Sequence, residues 1–229
     1  DIFTVLEENE AYTVNKYPCL NQLNEPLWPE RWGYDALMQR KAEVGSMKFT
    51  REYMCIPIST GTSLFNPEHL DACKELGKKE ILRMRERKEQ GYRYFVGVDP
   101  AISTDGDYNV IIVLEVDDKK NKRIVFVDRQ KNVEFRENIN KLKLIGKLFQ
   151  PECIYLETNT FAKSFTQELR DITDLNVRDF TTTRQKKQEI ILNLQMNIEN
   201  HKLIFPRGND ESRRVTDTIL EELSMFAIT

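Results

Sequence analysis

The chain has 229 residues, 40% of them hydrophobic, and a net charge of −3 at neutral pH. This composition is typical of a globular protein that buries a core as one domain, or as one domain with part of a neighbour. No run approaches eighteen apolar residues and the first ten residues are acidic, which argues against membrane insertion and secretion. Four cysteines without a CxxC pair favour reduced thiols over a zinc site or a disulfide framework.

The first ninety residues are irregular in sequence and carry Pro, Trp and Gly punctuation. Start and stop signals predict one helix there, roughly Pro29 to Val44. The segment is typical of a linker or of the tail of a preceding domain. Because Asp1 leads directly into a strand-like IFTVL, we expect the chain to be part of a longer polypeptide.

From Tyr92 onward the sequence becomes regular. YFVGVD, NVIIVLEV and RIVFVDRQ are three β-rich runs, and the polar DDKKNKR between the last two has the length of a hairpin loop. These runs predict two adjacent antiparallel hairpins.

Helices and short strands then alternate to the end of the chain. The expected strands are CIYLETN and VRDFTTT, and a short LIFP connects the last two helices. Each of the four expected helices has apolar residues at helical spacing. These residues are Phe135, Ile139, Leu142 and Phe149 in the first helix, Phe161, Phe165, Leu169 and Ile172 in the second, Ile190, Leu194 and Ile198 in the third, and Val215, Ile219, Leu223 and Phe226 in the fourth. The pattern predicts an α/β fold with a mixed five-stranded sheet, three antiparallel strands followed by parallel ones, and helices on both faces.

Two carboxylates end strands of this predicted sheet. Asp99 ends the first strand and Glu157 lies near the end of the fourth. If these strands are parallel neighbours, the two side chains meet at one edge and repel each other unless a cation holds them. Mg²⁺ or Mn²⁺ suits such hard oxygen ligands.

A basic group follows the fifth predicted strand. Arg184, Lys186 and Lys187 stand at a strand-to-helix junction, where a cation can face a ligand. The basic cluster between Gly77 and Gln90 contains interleaved Glu and is typical of a solvated helix face.

The segments GVDPAISTDGDYNVIIV and IYLETNTFAKSFTQEL resemble the nuclease domain of the large terminase subunit of tailed bacteriophages, which has a ribonuclease H-like fold. LWPERW, GSMKFTREYMCIP and GTSLFNPEHL upstream resemble the connection between the ATPase and nuclease domains of those proteins. The resemblance implies that residues 1–91 are the linker or tail of a preceding ATPase domain, packed on the nuclease. It implies that residues 92–229 are a ribonuclease H-like nuclease domain, truncated at its C-terminal end.

By this resemblance Asp99 is the first catalytic metal ligand and Glu157 the second. The family's third acid, in an HDD-like or DD-like stretch, is expected beyond Thr229. Three acids of the last helix precede that position and are poor substitutes: Asp217, Glu221 and Glu222.

Further site residues are less specific. Asp107 matches a frequent family Asp and either binds a second metal or bonds to the backbone of its Asp-Gly-Asp turn, and Asp105 is the weaker alternative. Lys186 or Lys187 matches a family lysine that faces DNA. Lys163, with Arg184, is a further DNA-binding candidate or simply a polar residue at a helix start.

The implied activity is a two-metal-ion endodeoxyribonuclease, using Mg²⁺ or Mn²⁺, that cuts concatemeric viral DNA during genome packaging with little sequence preference. The sequence has no GxxxxGK[ST], so translocation would need an ATPase motor domain in the same polypeptide. Double-stranded DNA, the portal and a small terminase subunit are the implied partners, without a membrane, in the host cytoplasm and transiently at the procapsid. Two alternatives stay open: another ribonuclease H-like nuclease, such as a Holliday-junction resolvase, and a catalytically silent DNA-docking module.

Overall fold

The computed structural model of the chain describes residues 11–57, 63–83, 88–100, 108–157, 167–171 and 173–227. Its helices are α1 (Tyr34–Val44), α2 (Ser46–Glu52), α3 (Pro67–Leu76), α4 (Phe135–Phe149), α5 (Arg184–Glu199) and α6 (Asp210–Met225), and residues 167–171 are also helical. The rest of the helix predicted from Phe161 to Ile172 lies outside the described residues. Within these residues, no helix combines the length and apolar character that a membrane span requires.

Six strands of the described residues form one mixed sheet in the order β5-β4-β1-β2-β3-β6. They are β1 (Arg93–Asp99), β2 (Tyr108–Val116), β3 (Lys122–Lys131), β4 (Cys153–Glu157), β5 (Val177–Phe180) and β6 (Leu203–Ile204). Strand β2 is antiparallel to β1 and β3, whereas β4 is parallel to β1 and β5. The predicted fold class is thus confirmed, with one strand more than the five expected.

The sixth strand is short for a physical reason. Leu203 and Ile204 pair with the beginning of β3, and Pro206, which has no N–H to donate, follows two residues after Ile204. A two-residue strand has no measurable period, so LIFP predicted only a connection between two helices.

The sheet buries a different core on each face. On one face, alternate residues of β1 and β4 pack against the apolar side of α4, whose Ile139, Leu142, Ile145 and Phe149 recur at helical spacing. On the other face, β3 packs beneath residues of α3, α5 and α6, including Cys73, Ile198 and Leu220. The second core covers β3 and β6, which lie at the opposite side of the sheet from β4 and β5.

The upstream segment contributes to the second core. Leu64, Phe65 and Leu70 are almost fully buried there.

The helix predicted from about Pro29 begins at Tyr34 instead, because the amides of Arg31 and Trp32 both donate to the carbonyl of Trp28 in a tight turn before it.

A buried ion-pair cluster joins this segment to the sheet at the end of β2 that lies far from Asp99. Glu115 is 1% exposed and lies 3.1 Å from the Arg83 guanidinium and 2.8 Å from that of Arg123. The Tyr94 hydroxyl donates to the same carboxylate at 2.6 Å. Two cations and a hydroxyl thus offset the cost of burying the Glu115 charge.

Candidate metal and nucleic-acid site

The carboxyl ends of β1 and β4 bring Asp99 and Glu157 to one edge of the sheet. The strands are parallel, and Val98 pairs with Leu156, so the next residues along each strand, Asp99 and Glu157, occupy neighbouring positions. Adjacent strands lie about 4.8 Å apart, and register partners share a face. The juxtaposition expected for these two residues is therefore present in the backbone register.

Strand alternation turns both acids away from the core beneath α4. Val98 and Leu156, one position earlier, are buried in that core, whereas Asp99 is exposed and Glu157 half-buried. Gly97 and Tyr155, two positions before the acids, are also exposed on the acids' face. Among the described residues, this edge of the sheet is therefore accessible to a ligand from solvent.

The chemistry of these two donors fits a divalent cation such as Mg²⁺ or Mn²⁺. Both are carboxylates, which these ions prefer together with water. Glu157 is half-buried, and no ion pair of Glu157 occurs among the described residues. No group of three or more potential His, Cys, Asp or Glu ligands occurs in that same part.

Three predicted site residues lie outside the described residues: Asp105, Asp107 and Lys163. Their assignments as metal or DNA ligands stay predictions.

The acids of α6 have other partners. Asp217 pairs with Arg207, and Glu222 lies 2.9 Å from the Arg129 guanidinium. Glu221, on the same helix, is exposed and has no ion pair among the described residues. Two of these three acids, Asp217 and Glu222, are therefore paired with arginines.

The predicted basic group opens helix α5. Phe180 ends β5 and pairs with Glu157, and α5 begins four residues later at Arg184. The Thr183 side chain caps the helix by accepting a hydrogen bond from the Lys186 amide at 3.2 Å. Arg184, Lys186 and Lys187 are all exposed. The chain thus passes from the Glu157 edge into a basic, exposed first helical turn.

A second basic group was not among the predicted site residues. Arg129 and Lys131, near the end of β3, lie 3.4 Å and 4.6 Å from the centroid of the Tyr108 ring. A signal was available in the sequence, because DRQK places Arg129 and Lys131 on one face of a strand at period two. Their position level with Asp99 depends on the pairing register of β1, β2 and β3, which the hairpin prediction did not specify.

Comparisons with known proteins agree with this architecture. The family model of the terminase RNase H-like domain matches residues 96–226. The large terminase nuclease of thermophilic phage G20c is similar in fold at 20% identity, with a TM-score of 0.53 over 71% of this chain and 80% of that chain. The magnesium-bound form of that nuclease is 21% identical, with a TM-score of 0.55 over 73% of this chain and 81% of that chain. The cobalt-bound form is 19% identical, with a TM-score of 0.55 over 75% of this chain and 82% of that chain.

Among curated protein sequences no significant match was found. The family model covers more than half of the chain and contains both strand-end acids, Asp99 and Glu157. The chain therefore belongs to the terminase RNase H-like domain family.

Proposed function

We propose that the chain is a metal-dependent, largely sequence-independent DNA endonuclease that cuts concatemeric viral DNA during genome packaging. The observation that carries the proposal is the pairing of Asp99 and Glu157 at adjacent parallel strand ends in a member of the terminase family. The magnesium and cobalt in structures of similar fold support a divalent metal here.

Asp99 and Glu157 would hold the metal, with further ligands from residues that include Asp107 and an acid beyond Thr229. When bound, a pair of Mg²⁺ or Mn²⁺ ions supplies an activated water and stabilises the leaving 3′ oxygen of a phosphodiester. The two carboxylates would orient the ions at this edge, and the pairing of β1 with β4 sets the spacing of the two carboxylate-bearing residues.

The basic residues near this edge supply affinity for DNA. The net charge of −3 means that attraction to DNA has to come from local groups, and the exposed start of α5 is one. Lysine and arginine contacts to phosphates bind without reading bases. We therefore expect cleavage with little sequence preference.

The other parts of the packaging machinery belong to the same proposal. An ATPase motor domain in the same polypeptide, the portal and a small terminase subunit would be the partners, in the host cytoplasm and at the procapsid. The segment before β1 would form the connection to the motor, which is supported by its packing on the sheet through Leu64, Phe65 and Leu70.

The test is cleavage of two plasmids of unrelated sequence by the polypeptide carried past Thr229 to include the expected third acid. With Mn²⁺ or Mg²⁺ we expect nicked and then linear products, with cut sites spread along both plasmids, and no product in EDTA. Cleavage in EDTA, or no cleavage with any divalent ion, would contradict the proposal. Two further measurements separate the alternatives. Cleavage of a synthetic four-way junction but not of the plasmids would indicate a resolvase, and binding of duplex DNA in EDTA without cleavage in any metal would indicate a docking module.

A further inference from the structure

We propose that Tyr108, Arg129 and Lys131 form a second DNA-backbone contact, on the β2–β3 side of the acid pair. We call these three residues the β3 cation cluster. The inference rests on the proposed nuclease function and deepens it, because it assigns DNA contacts to residues that the family resemblance did not indicate.

Strand register relates the cluster to the acid pair. Asp99 pairs with Val110 on β2, and Val110 pairs with Arg129 on β3. Register partners in antiparallel strands share a face, and two strand spacings amount to about 10 Å. Arg129 therefore lies level with Asp99, on its face of the sheet, two strands away.

Lys131 and Tyr108 extend the cluster towards the edge. They are register partners of each other, two residues beyond the Val110–Arg129 pair. Because strand residues at i and i+2 point to the same face, Tyr108, Arg129 and Lys131 all stand on the Asp99 face. The cluster and the start of α5 consequently flank the acid pair from opposite sides.

Contacts within the cluster hold two cations on one ring. The Arg129 guanidinium lies 3.4 Å and the Lys131 ammonium 4.6 Å from the centroid of the Tyr108 ring, within the range of cation–π attraction. Tyr108 itself is 37% exposed, and Lys131 is exposed. An aromatic ring that collects two cations at an open edge is suited to an anionic ligand, and the phosphates of DNA are the anions that the proposed reaction brings there.

One acid competes for the cluster. Glu222 of α6 lies 2.9 Å from Arg129 and is 65% exposed, whereas the Arg129 side chain is 34% exposed. An exposed ion pair of this kind contributes little to stability, so a phosphate can displace the carboxylate at small cost. Removing the Glu222 charge should therefore strengthen DNA binding, whereas removing the cations should weaken it.

The experiment measures binding of duplex DNA at several salt concentrations in Ca²⁺, with Glu222→Gln, Lys131→Gln and Arg129→Gln. Combining Lys131→Gln with Arg129→Gln removes both cations and should weaken binding about tenfold or more near 0.1 M salt. The salt slope should fall by about two, since each phosphate contact contributes about 0.9. Glu222→Gln should tighten binding, because it removes the competing carboxylate. The control Lys119→Gln removes one positive charge from an exposed residue of the β2–β3 turn, away from the acid pair, and should bind like the wild type.

The outcomes separate this inference from the nuclease proposal. If the Arg129–Glu222 pair is only structural, Lys131→Gln will leave the Kd and the salt slope unchanged, and Glu222→Gln will not bind DNA more tightly than the wild type. That result would overturn the inference, while metal-dependent cleavage would still support the nuclease proposal. Lys131→Gln keeps the Arg129–Glu222 pair, so it remains informative if Arg129→Gln folds poorly. A wild type that binds no duplex DNA would overturn both proposals.

Discussion

At the scale of single residues, the positions of Asp99 and Glu157 were predictable because each acid ends an apolar run. An acid at the end of an apolar strand can be recognised in a single sequence, because the apolar run stops there. Two such acids come together when their strands are parallel neighbours in the sheet. The register of β1 with β4 agrees with that expectation. The predicted hairpins place β1, β2 and β3 side by side but do not fix their register, so the position of Arg129 level with Asp99 was not predictable.

The buried Tyr94–Glu115 contact makes a pH-dependent prediction at the same scale. Burial, together with the hydrogen bond to Glu115, raises the pKa of Tyr94 from 10.0 to about 12, and burial raises the pKa of Cys73 from 9.0 to about 11. A raised pKa means that the folded state favours the neutral form. The stabilisation is therefore complete below the unfolded pKa and is lost as pH rises through the folded one.

We expect the free energy of unfolding to fall between about pH 9 and pH 12, with the Tyr94 share lost between 10 and 12. Tyr94→Phe should lower stability near neutral pH by about 1.5–3 kcal/mol, the usual contribution of a hydrogen bond to a charged group. It should also show a shallower decline between pH 10 and 12. Urea unfolding of wild type and variant across this range checks both effects, and parallel curves for the two proteins would contradict the assigned pKa of Tyr94.

At the scale of elements, the helices with a clear apolar stripe were predictable and the shortest strand was not. Ile139 and Leu142 indicated α4, because a helix that packs on a sheet has apolar residues at helical spacing along one side. Strand β6 depends on pairing with β3, a long-range contact that two residues cannot encode locally. The same reasoning applies to α1, which starts after a turn that Pro29 alone did not reveal.

Helix α5 gives the prediction that belongs to this scale. The double variant Lys186→Gln, Lys187→Gln should weaken DNA binding about equally for unrelated sequences, and each lost phosphate contact should lower the salt slope by about 0.9. The fold should be retained within about 0.5 kcal/mol because both side chains are exposed. The control is Lys119→Gln, Lys147→Gln, which removes the same charge from two exposed lysines away from the strand-end edge.

Binding isotherms at several salt concentrations, with Ca²⁺ in place of the catalytic ion, measure this effect. An unchanged slope in the α5 variant, or equal loss in the control, would mean that DNA approaches another face or responds only to total charge.

At the scale of the whole molecule, the sheet separates structural roles from the proposed chemical ones. The far end of β2 carries the buried Glu115 cluster that ties Arg83 to the sheet, and the opposite edge carries the exposed acids. In the described part of the segment before β1, Phe65 and Cys73 lie in the second core. The sequence could not reveal how deeply they are buried, because burial depends on α5 and α6 closing over them.

The central claim is that Asp99 and Glu157 together hold the metal that cuts DNA. Plasmid cleavage in Mn²⁺ by the polypeptide carried past Thr229 tests it most directly, comparing wild type with Asp99→Asn, Glu157→Gln and the control Asp118→Asn, an exposed acid in the β2–β3 turn. We expect each site variant to lose cleavage by a factor of at least about 100, equivalent to some 2.7 kcal/mol in the barrier, and the control to cut like the wild type. Full cleavage by a folded Asp99→Asn or Glu157→Gln protein would contradict the account.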